Sequence, residues 1–553
     1  AAAQQAGWAE QAPRLHRAAR QAYEQNEMIA AAAWWRAYRW ARLWGQVEGE
    51  FIYSWIEAVQ AAGVAHTNMA LRYDAPARPL AARVSPELQE WLLRHGRFGD
   101  EFFSLLQPVD FVPRVFAILN ELHAREPRAF EAYATLALAI AVVFDAPPPP
   151  YWPHAQVSGA ALTRRWPQPA EAFDWWKRQD QEGRTFHRLS QLRAEQLKFV
   201  VDAAAPFPEL EWAQKVSNYP LGQLERAYTM VRYRTDRAAN RTLNWPGQRY
   251  TLPEILAWGG ICVDQAYFAT QTGKARGVPT LFFYGAGKDG RHAWFGFLGD
   301  GGQWQLDAGR YAEQRFVTGL ARDPQTWLEF SDHQLRYLTD RFRDRPSFKQ
   351  SQTHAVFAAD YLGEGRADAA ARAARLATKL EPRNEPAWEL LLAAEAALGR
   401  PPKVREGILR EAMVALERYP DLEAIYSRRI AESLRARGER SAAEMETRRL
   451  LRKTEGNRGD LALRQAQERL IASLANQPWS ESIRVYNGIV DNLGRGAGIA
   501  FFDQIVTPFV EHLLTTGHAE EAASALERAR RALVVEPESQ LDQEFTALKQ
   551  RIR

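Results

Sequence analysis

One short stretch limits what this chain can become. Between Pro279 and Asp307, three runs of strand-forming residues are separated by glycine-rich turns. The runs are Pro279 to Tyr284, His292 to Leu298 and Gln303 to Asp307. The turns are Gly285-Ala286-Gly287 and Gly299-Asp300-Gly301-Gly302. Short runs joined by short turns predict an antiparallel meander. It is fed by Gly259-Gly260 and a short helix from Cys262 to about Lys274. Helical patterning fills the chain on either side. The expected class is therefore multidomain and mainly α, with a central α+β core and a C-terminal α-helical array. At 553 residues the chain is too long for one hydrophobic core. Three domains are expected: an N-terminal helical region over 1–150, the core with a helical lead-in over 151–345, and a helical repeat domain over 346–553.

The N-terminal region is dense in Ala, Leu, Trp and Glu, with little alternation. Met28 to Val47 interleaves Trp34, Trp35, Tyr38, Trp40 and Trp44 with Arg36, Arg39 and Arg42. Aromatics at helical spacing favour a packed amphipathic helix with arginines lying along it, over a base-stacking helix that binds phosphates. Ala134 to Phe144 reads as a buried core helix, being too short to span a membrane. Pro147 to Pro150, followed by Trp152-Pro153, forbids helix and reads as a linker. Beyond it, Leu189 to Val201 suggests one helix and Leu224 to Tyr233 another.

The C-terminal region has a loose internal period. Gly365 to Pro382, Gly438 to Gly456 and Gly517 to Pro537 each run from a turn glycine through an Ala-rich helix to a breaker. This resembles the second helix of tetratricopeptide repeats, where alanines let helices pack closely. An ordinary all-α domain is the alternative. Ala369, Ala373 and Leu376 are expected to face inward.

Composition removes several classes of function. With 11% aromatic residues the chain is not mainly disordered. Net charge is only +4, and the arginines are scattered among Asp and Glu, so no nucleic-acid footprint stands out. The single cysteine, Cys262, excludes an intrachain disulfide and a cysteine-rich zinc site. No metal site is expected, because His187, His333 and His354 lack ligand partners at helical spacing. No cofactor is expected either. Gly285 to Gly290 spells G-x-G-x-x-G, but a strand follows where a dinucleotide site needs a helix. The opening Ala1-Ala2-Ala3 without methionine suits the stub left by a cleaved export signal, giving an exported or periplasmic location as one expectation. A chain cut elsewhere would begin the same way.

A thiol nucleophile needs a base within reach and a third group to orient that base. Cys262 opens a helix, where the dipole and free N–H groups favour thiolate. His292 begins one expected strand and Asp307 ends the next, and neighbouring antiparallel strands can set the two side by side. The sequence here is similar to the transglutaminase-like superfamily, which has a papain-like fold. The matching pieces are Gly260-Ile261-Cys262 followed by Asp264, Gln265 and Ala266, then Gly277-Val278-Pro279, His292-Ala293-Trp294, and Trp304 to Asp307. The likeness covers about residues 186–330. It implies a Cys-His-Asp triad for acyl transfer on amide bonds, with Cys262, His292 and Asp307 in those roles and the thiol within about 4 Å of the imidazole. A protein or peptide substrate follows, with hydrolysis favoured over transamidation. Phe295-Gly296 and Ala308-Gly309 depart from the residues that often follow the superfamily's His and Asp, which leaves the substrate open.

The backbone N–H of Cys262 is one expected oxyanion donor, and Gln248, Asn244 and Trp258 are candidates for the second. Asp264, two residues past the thiol, is expected to be a surface carboxylate screened by water. The competing reading is an inactive scaffold that binds partner proteins on its helical repeats.

Overall fold

A helix with a single polar residue in ten has to be enclosed on every side. In the computed structural model Ala134–Val143 is a helix in which Leu136 to Val143 are all buried. The structure describes residues 7–63, 77–149, 154–162, 166–240, 242–287, 290–310, 318–454, 458–476, 478–495 and 497–552. Residues 150–153 of the proline-rich stretch lie outside these, as do Ala1 to Ala3, Lys288 and Asp289 of the glycine-rich turn, and the expected stop at Gly456. The protein is mainly helical, with one five-stranded sheet. Among the described residues no helix is long and apolar enough to cross a membrane.

The chain divides into two compact units. The first is residues 1–283 with 294–309 and 321–330; the second is 284–293, 310–320 and 331–553. One continuous core in the first unit runs from Trp40 to Trp327. The aromatic helix is Met28–Gly45, and it packs as the amphipathic reading expects. Trp40 and Trp44 stack inside it at 4.9 Å, while Arg39 lies over the Phe103 ring and Arg36 pairs with Asp100. A helix over Pro169–Gln181 went unexpected. The single helix expected over 189–201 is two pieces, a 3-10 turn at Leu189–Gln191 and a helix at Ala194–Val201. The break is local: Leu192 and Arg193 are extended, and the Arg193 N–H is taken by the Gln196 side chain at 3.1 Å, which starts the second piece afresh. The helix expected over 224–233 is only Arg226–Met230, because the chain then runs extended into a parallel bridge from Tyr233 to Gly260.

The sheet strands are β1 (Thr280–Ala286), β2 (Arg291–Leu298), β3 (Trp304–Ala308), β4 (Leu320–Arg322) and β5 (Glu329–Ser331), in the order β3-β2-β1-β4-β5. The expected meander is β1 to β3. β4 and β5 were not expected, because at three residues each they are too short to show alternation. Of the G-x-G-x-x-G segment, Gly285 and Ala286 end β1, and the Gly287 N–H donates to the Gly290 carbonyl at 2.9 Å before β2.

From Pro346 onward the described elements of the second unit are helices, and from Pro346–Gly363 to Trp479–Leu493 each packs on the next in sequence. Ser351 and Asn384, both buried, join three of them: Asn384 donates to Ser351 Oγ at 2.7 Å, which donates to the Ala377 carbonyl at 2.8 Å. The inward face of Ala367–Leu380 carries Ala367, Ala370, Ala374 and Ala377. Ala373 is buried as expected and Ala369 half-buried, but Leu376 faces outward, 48% exposed. Two residues past Ala374 on a helix is a rotation of about 200°, which carries Leu376 to the far side.

Candidate active site

Cys262 is the first residue of the helix Cys262–Ala275, and its side chain is half-buried. The turn before it requires glycine twice. Gly259 has φ +78°, and a Cβ there would sit 2.5 Å from the Arg232 carbonyl oxygen. A Cβ on Gly260 would fall 2.3 Å from the Cβ of Asp264. Freed of side chains, this turn lies against the extended segment 232–234. The Gly260 N–H donates to the Arg232 carbonyl and the Arg234 N–H to the Gly260 carbonyl, both at 2.9 Å.

The helix behind Cys262 is buried from Asp264 to Ala275. Its polar residues are anchors. Gln265 donates to the Val231 carbonyl at 2.8 Å, and Gln271 accepts from the N–H groups of Ala204 and Ala205. Lys274 donates to the carbonyls of Phe199 and Thr280 and pairs with the Asp202 carboxylate. Burial pushes the Lys274 ammonium below its usual range and the Asp202 carboxyl above its own, each opposed by the other's charge.

Asp264 corrects the surface carboxylate expected from sequence: it is 1% exposed. As the third residue of the helix it reaches back to accept the Ile261 N–H at 2.9 Å. Arg237, 4% exposed, donates Nη1 to the same oxygen at 2.9 Å, and Tyr250 donates its hydroxyl to the other at 3.0 Å. The remaining Arg237 donors bind the carbonyls of Thr242, Leu243 and Asn244, at 3.1 Å each. His154 Nε2 lies 2.9 Å from the Tyr250 hydroxyl. Burial lowers the His154 imidazole to about 4, so it is neutral at pH 7. Its Nδ1 accepts the Gln156 N–H, leaving Nε2–H to donate to Tyr250. Burial also pushes the Asp264 carboxyl upward, opposed by the Ile261 N–H and Arg237.

His292 is the second residue of β2 and is buried. It belongs to the second unit, where the adjacent Arg291 forks onto Asp503 at 2.6 and 3.0 Å and reaches Glu544 at 2.7 Å. Asp307 belongs to the first unit and lies in β3, exposed between the buried Leu306 and Ala308. The β2–β3 register pairs Ala308 with Phe295, with an irregularity between Phe295 and Phe297. Trp294 of the H-A-W motif is fully buried and donates to the Leu306 carbonyl at 2.9 Å, fixing that register.

Of the candidate oxyanion donors, Gln248 and Asn244 have exposed side chains, and Trp258 is 47% exposed. Arg237, Tyr250 and His154 were not singled out from sequence. Nothing in their spacing marks them; the one available signal was an acidic residue at the third position of the helix that Cys262 opens. No protein-family model matches the chain, and neither characterised proteins nor solved structures give a match.

Proposed function

We propose that this protein is a cysteine-dependent acyl-transfer enzyme of the transglutaminase-like kind, hydrolysing amide bonds of a protein or peptide. The Cys262 thiolate attacks the carbonyl carbon. The C–N bond breaks, the leaving amine takes a proton from His292, and a thioester remains. Water then adds to the thioester as His292 accepts its proton, which returns the thiolate and releases the acid. Asp307 orients the imidazole and stabilises its charged form. In the same reading the C-terminal helices are a tetratricopeptide-like array that presents a surface to protein partners.

The observation that carries this reading is the only thiol in the chain, half-buried at the first position of a helix, followed in order by a strand histidine and a strand aspartate. A helix start supplies N–H groups to the thiolate and to the oxyanion formed next to it. Alkylation by iodoacetamide tests it on the full chain. Cys262 is expected to react well below pH 8, and Asp307→Asn to slow the reaction at pH 6 by about tenfold or more. Cys262→Ala is expected to abolish amidase activity and leave the fold intact. An Asp307→Asn protein that alkylates as fast as the parent would overturn the triad in favour of a binding scaffold.

A further inference from the structure

Among the buried charges of the first unit, one group stands beside Cys262. Asp264 lies two residues beyond the sulfur-bearing residue and is inside the protein, where water does not screen it. Alone, a buried carboxylate in that place would oppose a thiolate at Cys262. The structure sets a guanidinium against it at 2.9 Å and gives that guanidinium three further carbonyls on the segment 242–244. We propose that Arg237 is a positioning residue for Cys262, acting through Asp264: it cancels the carboxylate charge beside the thiol and ties the 242–244 segment to the helix start. This rests on Cys262 being the nucleophile.

Three features argue for this role over simple stabilisation. An apolar pair of similar volume would hold a core together as well as a buried ion pair does. The Asp264 oxygens are held by Ile261, the residue that precedes the thiol, as well as by Arg237 and Tyr250. The surrounding titratable groups leave Arg237 to do the cancelling. On the same helix stands Tyr267; facing it are Tyr250 and, behind that, the neutral His154. On the segment before Arg237, Arg234 is forked onto Asp236, and Arg232 donates to the Trp258 carbonyl.

The test is the pH midpoint of Cys262 alkylation by iodoacetamide, measured on the full chain, with thermal melting as the control for folding. Asp264→Asn keeps an acceptor for the Ile261 N–H but leaves Arg237 uncompensated, so the midpoint is expected to fall by about one pH unit. Arg237→Gln leaves the carboxylate uncompensated, and the midpoint is expected to rise by about as much. The double variant is expected to return to within about 0.3 unit of the parent. Arg237→Lys keeps the cation without the fork, so it is expected to keep the parental midpoint while melting earlier. Single variants that leave the midpoint in place, or move it in the same direction, overturn the proposal. Should Arg237→Gln not fold, Asp264→Asn decides alone, and a midpoint that stays or rises overturns it. His292→Ala separates this from the triad: an unchanged midpoint there counts against the triad, while the opposite shifts of the Arg237 and Asp264 variants stand or fall by themselves.

Discussion

The helix Cys262–Ala275 and the helix Ala367–Leu380 have the same length and are both packed inside their units, by opposite means. The first buries Asp264, Gln265, Thr270, Gln271, Thr272 and Lys274. Thr270 and Thr272 bond back within the helix, while Asp264, Gln265, Gln271 and Lys274 each bond a partner outside it, so the helix is fixed in axial position and rotation. The second buries alanines and one threonine, keeps Asp368, Arg372 and Lys379 in solvent, and leaves Arg375 half-buried against Glu411. Its placement follows from volume: small side chains let neighbouring helices come close. A hydrogen-bonded helix suits the nucleophile proposed at Cys262, which must point one way. An alanine-packed helix suits the partner-binding array proposed for the second unit.

The comparison breaks first at Lys274. Lys274→Met removes the cation from the Asp202 carboxylate and a donor from the carbonyls of Phe199 and Thr280. Removing one partner of a buried pair costs about 3–5 kcal/mol. Urea unfolding followed by tryptophan fluorescence should show a loss of that size. A cost below about 1 kcal/mol would mean that the polar contacts of the Cys262 helix do not set its stability.

Acidity offers a second, slightly smaller break within the first unit. Asp110 is buried, held by the Gln107 N–H and the Gln325 amide, and burial pushes its carboxyl up to about 7. Asp145, buried nearby and bonded to the Phe111 N–H, is pushed upward by burial and by the Asp110 charge. In the unfolded chain an aspartate releases its proton near pH 4. Between there and about pH 7 the folded state binds the extra proton, so stability is full below pH 4 and falls as pH rises through 7. The expected loss from pH 5 to pH 8 is about 2–3 kcal/mol. Asp110→Asn, neutral throughout, should flatten that slope in melts across the range. A parent whose stability rises from pH 5 to pH 8 would contradict the assignment.

The two helices also separate what could be read from the sequence. The Cys262 helix, the three meander strands and the C-terminal helices were all legible, because glycine turns and period-two or Ala-rich patterning fix them locally. The environment of the Cys262 helix was not. Asp264, Gln271 and Lys274 have the composition of a solvated face, and their partners at Arg237, Ala204 and Asp202 are brought to them only by the tertiary fold. The candidate site divides in the same way. Cys262, His292 and Asp307 could be named from order and element type, while Arg237, Tyr250 and His154 became visible only once their contacts were known.

The smallest effect tests the second helix, where sequence and structure rank two residues oppositely. The sequence reading places Leu376 inside with Ala369 and Ala373, and does not single out Ala374. The structure buries Ala374 completely and leaves Leu376 48% exposed. Ala374→Leu forces three extra carbons into a face whose neighbours are Ala370, Ala377 and the adjoining helices. Overpacking of that kind costs about 1–3 kcal/mol. Leu376→Ala removes side-chain atoms from a half-solvated surface and should cost under about 0.5 kcal/mol, offset in part by the better helix propensity of alanine. Thermal melts of the two variants settle the order. A Leu376→Ala loss of about 2 kcal/mol or more, the size expected of a buried leucine, would place the other face of the helix inward and remove the alanine packing on which the comparison with tetratricopeptide repeats depends.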